Sequence, residues 1–392
     1  MLAASGDDAA MTRISRRSNT AALAVLYPAF ALTGVVHAIG GPLLPSLAAT
    51  FHLSDSESGL IFLLYFGGSS LGPFFCRGSY ARSMALGFLA MAMCCTGVAL
   101  APRPLLPIAF LLLGISAGVP MSAVSLFAGR NFAGRRAPLF TFLNFVWSSG
   151  ALIAPLLAAP ILMHHGYQTG YLVLTIPAAV AALLCWLVLE DAPEATPEPN
   201  ATVDYRNLRL ILIFSIAAFL QVGIENISTA WLATYALRLA GSGVVLAAAS
   251  SSFYWFGFMG SRGLSSLLLL HAAPMKVFRI AVAVAFGASV MLIGLPSVGG
   301  RSLAMFLLGA SLAPIYPLIL AAFFERARHT SDSRWVMFTA GFGGSVLPWL
   351  AGWTSTHTGS LRMGMLTIPV SLLLMGAILP MFGLGRFAGA KS

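Results

Sequence analysis

The stretch LRLILIFSIAAFLQVGIENISTAWLATYAL, residues 208–237, decides the class of this protein. It carries one basic residue at its entrance, Arg209, and one acid in its interior, Glu225. A helix rises ~1.5 Å per residue, so this run is long enough to cross the ~30 Å hydrocarbon layer of a bilayer. An ionisable side chain at that depth is expensive and persists mainly where it faces a cavity, a partner or a moving proton. Glu225 is therefore a candidate for proton coupling, and the alternative is a structural carboxyl paired with another helix.

The same pattern recurs in both directions along the chain. Apolar residues make up 58% of the sequence and charged residues 9%, which excludes a soluble enzyme. Membrane-length apolar runs are read at 21–48, 57–76, 83–101, 105–129, 138–163, 170–189, 208–237, 244–269, 277–297, 302–324, 335–356 and 362–385. A transmembrane barrel shows short alternating segments instead. The expected fold is an all-α integral membrane protein of twelve transmembrane helices in two pseudo-symmetric six-helix bundles.

Charge placement sets the expected orientation, because Lys and Arg are retained on the cytoplasmic side. With the N-terminus inside, cytoplasmic segments and helix ends hold 18 of the 22 basic residues, and the outer side keeps Arg103, Arg238, Arg301 and Arg362. Topology and anionic lipid thus account for the +10 net charge without nucleic acid. Both termini are expected in the cytoplasm and the protein in the cell inner (plasma) membrane. The first twenty residues carry Asp7, Asp8 and three arginines with no apolar core, so no signal peptide is expected, and Met11 is an alternative start. Cys76, Cys94, Cys95 and Cys185 lack metal-ligand spacing and read as small apolar residues. No metal, cofactor or catalytic residue is expected.

One long polar break, EDAPEATPEPNATVDYR at 190–206, has the composition of a linker. The expected organisation is a cytoplasmic tail at 1–20, a first bundle at 21–189, a linker at 190–207, a second bundle at 208–385 and a second cytoplasmic tail at 386–392. The halves repeat weakly. Phe30, Gly34 and His37 of the first span recur as Phe219, Gly223 and Asn226 of the seventh, at a constant offset of 189. Leu112-Leu113-Gly114 with Ser116 recurs as Leu307-Leu308-Gly309 with Ser311, and Gly150 five residues before Pro155 recurs as Gly343 five before Pro348. The pairs Pro42, Pro45 and Pro314, Pro317 predict flexible or broken segments.

On these motifs the chain resembles the major facilitator superfamily, in particular the branch with fucose-proton symporters and bacterial glucose and galactose transporters. The resemblance rests on GVVHAIGGPLLPSLAATFHLSDSESGLIF at 34–62, VGIENISTAWLATYA at 222–236, WFGFMGSR at 255–262 followed by Pro274-Met-Lys276, and GASLAPIYP at 309–317. Glu225, Trp231 and Tyr235 match a recurrent pattern of that branch. The chain departs from the superfamily elsewhere. Cys76 precedes Arg77, with Arg82 further on, where a cytoplasmic signature normally includes an Asp, and the acidic positions of the fucose-symporter pattern fall on Gly41 and Met121.

The resemblance implies a secondary transporter working by alternating access, with a sugar as the favoured substrate, and the three ordered repeat matches predict spans 1, 4, 7 and 10 around a central cavity. A neutral solute also follows from the residues, because a single acid and few mid-membrane cations suit neither an organic cation nor a multivalent anion. Candidate substrate-binding residues are Gln221, Asn226, Trp231 and Tyr235 on span 7, Asn144 and Trp147 on span 5, and Tyr254 and Trp255 on span 8, since amides bond hydroxyls and aromatic faces pack on C–H surfaces. Binding by Gln221, Asn226 and Trp231 together requires a break near Gly223. His37 is the second proton-coupling candidate, and Arg77, Arg82 and Arg262 are gating candidates. Expected partners are a neutral solute, a proton or a sodium ion, and membrane lipid, with the chain a monomer. The alternatives are an exporter of a hydrophobic, drug-like or lipid-like compound and a non-transporting receptor or scaffold.

Overall fold

The computed structural model describes residues 4–76, 78–132, 136–191, 208–240, 243–268, 271–326 and 333–378. Helices account for nearly all of them, and there is no strand among the described residues. The first half comprises α1 (Ala4–Phe51), α2 (Asp55–Leu71), α3 (Tyr80–Leu100), α4 (Leu106–Asn131), α5 (Arg136–His164) and α6 (Tyr167–Val188). The second comprises α7 (Leu208–Ala240), α8 (Val244–Ser250), α9 (Ser252–Leu268), α10 (Pro274–Gly294), α11 (Val298–Leu312), α12 (Ile315–Phe324), α13 (Ser333–Thr358), α14 (Leu361–Met365) and α15 (Thr367–Ile378). The pairs α8/α9, α11/α12 and α14/α15 are each one span interrupted by a short turn. From Ala4 onward the segment expected as an N-terminal tail is the start of α1, while the C-terminal tail and the linker beyond Asp191 lie outside the described residues.

Eleven stretches among the described residues are long and apolar enough to cross a membrane. The twelfth span is α13, 26 residues long but diluted by Gly341, Gly343, Gly344, Ser345 and Ser355. Its small residues serve packing, because α13 lies against α7 and α2 between the two halves.

The proline pairs behave differently. Pro314 lies in the turn that separates α11 from α12, whereas α1 runs unbroken through Pro28, Pro42 and Pro45. Neighbouring helices hold α1 on several sides, which lets a helix keep its course where a proline removes a backbone donor. Likewise α7 has no break at Gly223. That glycine is a packing point, where a methyl would collide with Leu347 and come within 3.0 Å of the Gly343 carbonyl.

The repeated glycines occupy matching contacts. In the first half Gly150 of α5 abuts the backbone of Ala31 on α1, and in the second Gly343 of α13 abuts that of Phe219 on α7. Gly114 of α4 meets the Tyr65 carbonyl on α2, and Gly309 of α11 meets the Tyr254 carbonyl on α9. Tyr65 and Tyr254 are themselves separated by the 189 residues that relate Gly34 to Gly223. The same helix pairs touch in both halves, at the same residue for Tyr65 and Tyr254 and within one residue for Ala31 and Phe219, as duplication requires.

Local sequence fixes the helix ends. Ser54 and Glu57 form a reciprocal capping box at the start of α2, with Ser54 N–H donating to Glu57 Oε2 at 2.8 Å. On the side where α6 ends and α7 begins, hereafter the linker side, Asp191 accepts from the Ser79 hydroxyl and from the Tyr80 N–H at 3.0 Å. A carboxylate thus neutralises the exposed donors at the α3 N-terminus.

Candidate functional site

Glu225 sits in mid-helix on α7 and is 8% exposed. Among the described residues no hydrogen bond reaches its carboxylate, and both ion pairs within 4 Å lie elsewhere. Its charge acts instead on Arg262 of α9, Tyr254 of α9 and Tyr316 of α12. Arg262 does not reach toward the linker-side water. Its guanidinium stands over Phe258 at 4.5 Å and over Trp147 at 5.7 Å, and Nη1 donates to Ser148 Oγ at 3.0 Å. Because Trp147 and Ser148 belong to α5, this arginine ties the halves together at the level of the acid.

His37 of α1 completes the arrangement from the opposite side. Its imidazole faces Asn226, the neighbour of Glu225, and lies 5.1 Å from the rings of both Phe66 and Trp147. Trp147 in turn meets Trp255 edge-on at 5.9 Å, and Trp255 meets Tyr254 at 5.2 Å. An aromatic wall therefore runs from α2 through α5 to α9, with charged or amide groups along it. Four buried polar atoms on residues of this region have no hydrogen-bond partner: Trp147 Nε1, Arg262 Nε, Gln221 Oε1 and Tyr254 Oη. Each unpaired group costs about 1–3 kcal/mol, a cost that a hydroxyl-bearing solute offsets by donating and accepting.

The other candidates divide by position. Gln221 donates from Nε2 to the Leu312 carbonyl, at the turn between α11 and α12. Asn226 donates to the Gly344 carbonyl at 3.0 Å while facing His37. Trp231 is fully buried with its N–H on the Pro348 carbonyl, a wedge between α7 and α13 with no polar atom left over. Tyr235 lies ten residues past Glu225, ~15 Å along the helix, among the electrostatic influences of Arg301 and Arg362. Asn144 is exposed one turn toward the linker side and donates to its own helix at Phe140. Arg82 is exposed at the start of α3, and Arg77 lies outside the described residues. Gly41 abuts the Thr229 backbone, so an acidic side chain at that position has no room in this chain.

Sequence reasoning missed Ser148, Phe258 and Tyr316, and it missed a second polar assembly at the far end of the bundle. There Asp55 of α2 accepts two hydrogen bonds from Arg238 of α7, each 2.6 Å, and one from Ser355 of α13 at 2.5 Å. Ser56 N–H donates to Thr356 Oγ1 at 2.8 Å beside it. These bonds clasp the halves on the side away from the linker. The charges were visible, but nothing in sequence pairs residue 55 with residue 238. Among the described residues no group of three or more His, Cys, Asp and Glu forms a metal site.

A two-fold-repeated helical bundle with a charged cluster between its halves defines a membrane transporter rather than an enzyme. The family model of the Major Facilitator Superfamily matches residues 26–348, and the chain belongs to that superfamily. The glucose/mannose transporter GlcP of Bacillus subtilis is 25% identical over 385 residues, covering 89% of this chain and 92% of its own. A putative glucose/galactose transporter of Helicobacter pylori is 25% identical over 375 residues, covering 86% and 90%. Among solved structures, a bacterial homolog of the human lysosomal transporter Spinster, inward-facing and occupied, superimposes with a TM-score of 0.77 at 14% identity, covering 95% of this chain and 98% of that one. The transporter FucP in its outward conformation gives 0.61 at 16% identity, covering 92% and 98%. These structural likenesses carry the fold. The sequence relatives fall in the branch that the motifs indicated.

Proposed function

We propose that this protein is a secondary active transporter that moves a small neutral sugar across the cell inner membrane, coupled to protons, with both termini in the cytoplasm. The observation that carries the reading is the cluster at mid-bundle: an isolated buried carboxyl, a cross-half arginine, an aromatic wall and polar atoms without protein partners. Sugar hydroxyls satisfy such atoms, and the ring's C–H face packs on Trp147 or Trp255. The two relatives bearing glucose, mannose and galactose in their names support the same substrate class. Gln221, Asn226, Trp147, Tyr254 and Trp255 are the favoured substrate contacts. Glu225 is the coupling group, with His37 beside it, and Arg262 is the link that changes partners as the halves rock. The clasp around Asp55 closes the outer side in the present conformation, so exchange proceeds toward the linker side from here.

The test is uptake of labelled glucose, mannose and galactose into proteoliposomes with and without an inward proton gradient. Accumulation of one of them above the external concentration, only with the gradient, is expected. Absence of uptake of all three by folded protein overturns the sugar, and accumulation driven by sodium alone overturns the proton.

A further inference from the structure

The far half of the seam between α5, α9 and α11 opens into a crevice of about 610 Å³. Leu152 and Leu156 line it from α5, Phe253 and Phe256 from α9, and Met305 from α11. Several of these side chains are exposed, so the crevice opens sideways toward the bilayer rather than into the centre. Its one charged lining residue is Arg301, near the start of α11 and buried. Nε and Nη2 of Arg301 donate to the carbonyls of Leu295 and Pro296 at 2.8 and 2.9 Å, capping the end of α10. That structural role leaves one nitrogen unexplained. Nη1 is buried and has no partner. Ser252 Oγ, on the opposite wall, is buried and unpartnered as well.

We infer that this crevice is a binding site for an anionic phospholipid of the bilayer, its phosphate on Arg301 and Ser252 and an acyl chain along the apolar walls. Position, chemistry and length agree. Arg301 lies about one turn inside the start of α11, ~5 Å from the helix end, at the depth of the headgroup boundary. From Leu246 to Phe256 the wall extends ~15 Å toward the bilayer centre, as an acyl chain does. No carboxylate lines the crevice to compete for the free donor, and a phosphate oxygen supplies the acceptor that Nη1 lacks. A site at the seam between the halves would make lipid a ligand of one conformation, since rocking changes the distance from α5 to α11.

The test is native mass spectrometry of the full chain after delipidation, titrated with phosphatidylglycerol, phosphatidylcholine and oleate. Phosphatidylglycerol is expected to bind at least about tenfold more tightly than phosphatidylcholine, which offers the same phosphate but brings its choline ammonium, a like charge, beside the buried Arg301 guanidinium. Ala249→Trp fills the crevice without touching the α10 cap and is expected to abolish that preference. Arg301→Gln is expected to do the same, while Arg301→Lys, which keeps the charge but loses the two-carbonyl cap, is expected to retain part of it even if thermal stability falls. Equal binding of the two phospholipids, or an undiminished preference in folded Ala249→Trp protein, overturns the inference. Oleate binding that matches phosphatidylglycerol also overturns it, in favour of a fatty-acid site.

Discussion

Duplication makes the two seams between the halves equivalent: α2 against α13 on one side, and α9 against α5 on the other. They have diverged in opposite directions. Along the first, Gly59 faces the backbone of Trp349 and Gly67 faces Ser345, so the helices approach closely over their whole length. The corresponding residues of the second seam, by the repeat offsets, are Ala248 with Leu156 and Phe256 with Leu152. Larger side chains hold those helices apart, and the crevice lies where glycine closes the first seam. Nearer the middle, the second seam carries Trp147, Trp255 and Arg262 on Ser148, whereas the first meets through Ser70 and Gly341. One seam is close-packed along its glycines, with a polar clasp at its end. The other carries the buried arginine and the aromatic wall.

Four experiments strain that contrast. The largest effect is expected from Glu225→Gln, which keeps hydrogen-bonding capacity but removes titration. Gradient-driven accumulation should fall to the level of equilibration, a loss of at least about tenfold, while sugar exchange persists. Normal accumulation would move coupling to His37 or to sodium and leave the second seam without its assigned role.

Overpacking separates the seams directly. Gly59→Leu drives a side chain into the Trp349 backbone, 3.0 Å from a first methyl, and should cost about 1–3 kcal/mol in thermal unfolding. Leu156→Phe, at the equivalent of Trp349 but in the open crevice, should stay within about 0.5 kcal/mol. Equal costs would show that the crevice is closed in the membrane.

Arg262→Lys keeps the charge near Glu225 but loses the planar stack on Phe258 and the fixed bond to Ser148. Initial uptake should fall about tenfold at equal expression, as expected when one cross-half hydrogen bond and a cation–π contact are lost. An unchanged rate would make the arginine a packing residue.

The smallest effect belongs to the clasp. Arg238 is 46% exposed, so solvent screens the pair and Asp55→Asn should shift the conformational balance by only about 1 kcal/mol, a few-fold. Spin labels at Thr50 and Thr358, on opposite halves of the far side, should report a larger population of long distances in the variant. An identical distance distribution would assign closure to the glycine contacts alone.

Much of this architecture was legible in the sequence because membranes impose one-dimensional rules. Span length, the isolation of Glu225 and the repeat of Gly34 and Gly150 as Gly223 and Gly343 are written along the chain. The proline pair in α1 misled, since a proline removes one donor but neighbouring helices decide whether the helix yields. Gly223 misled similarly, as a glycine that packs looks like a glycine that bends. Trp231 matched a family pattern, yet only the position of Pro348 shows that its N–H is already bonded.

The sequence by itself determined the twelve hydrophobic spans, the two halves and the acid at their centre, because the bilayer penalises each residue locally and without reference to its neighbours. Tertiary structure alone decided that Arg262 crosses to Ser148, that Asp55 meets Arg238, and that one seam closes while its twin opens. Those outcomes depend on distances between residues more than a hundred positions apart, and on whether glycine or phenylalanine stands at the point of approach.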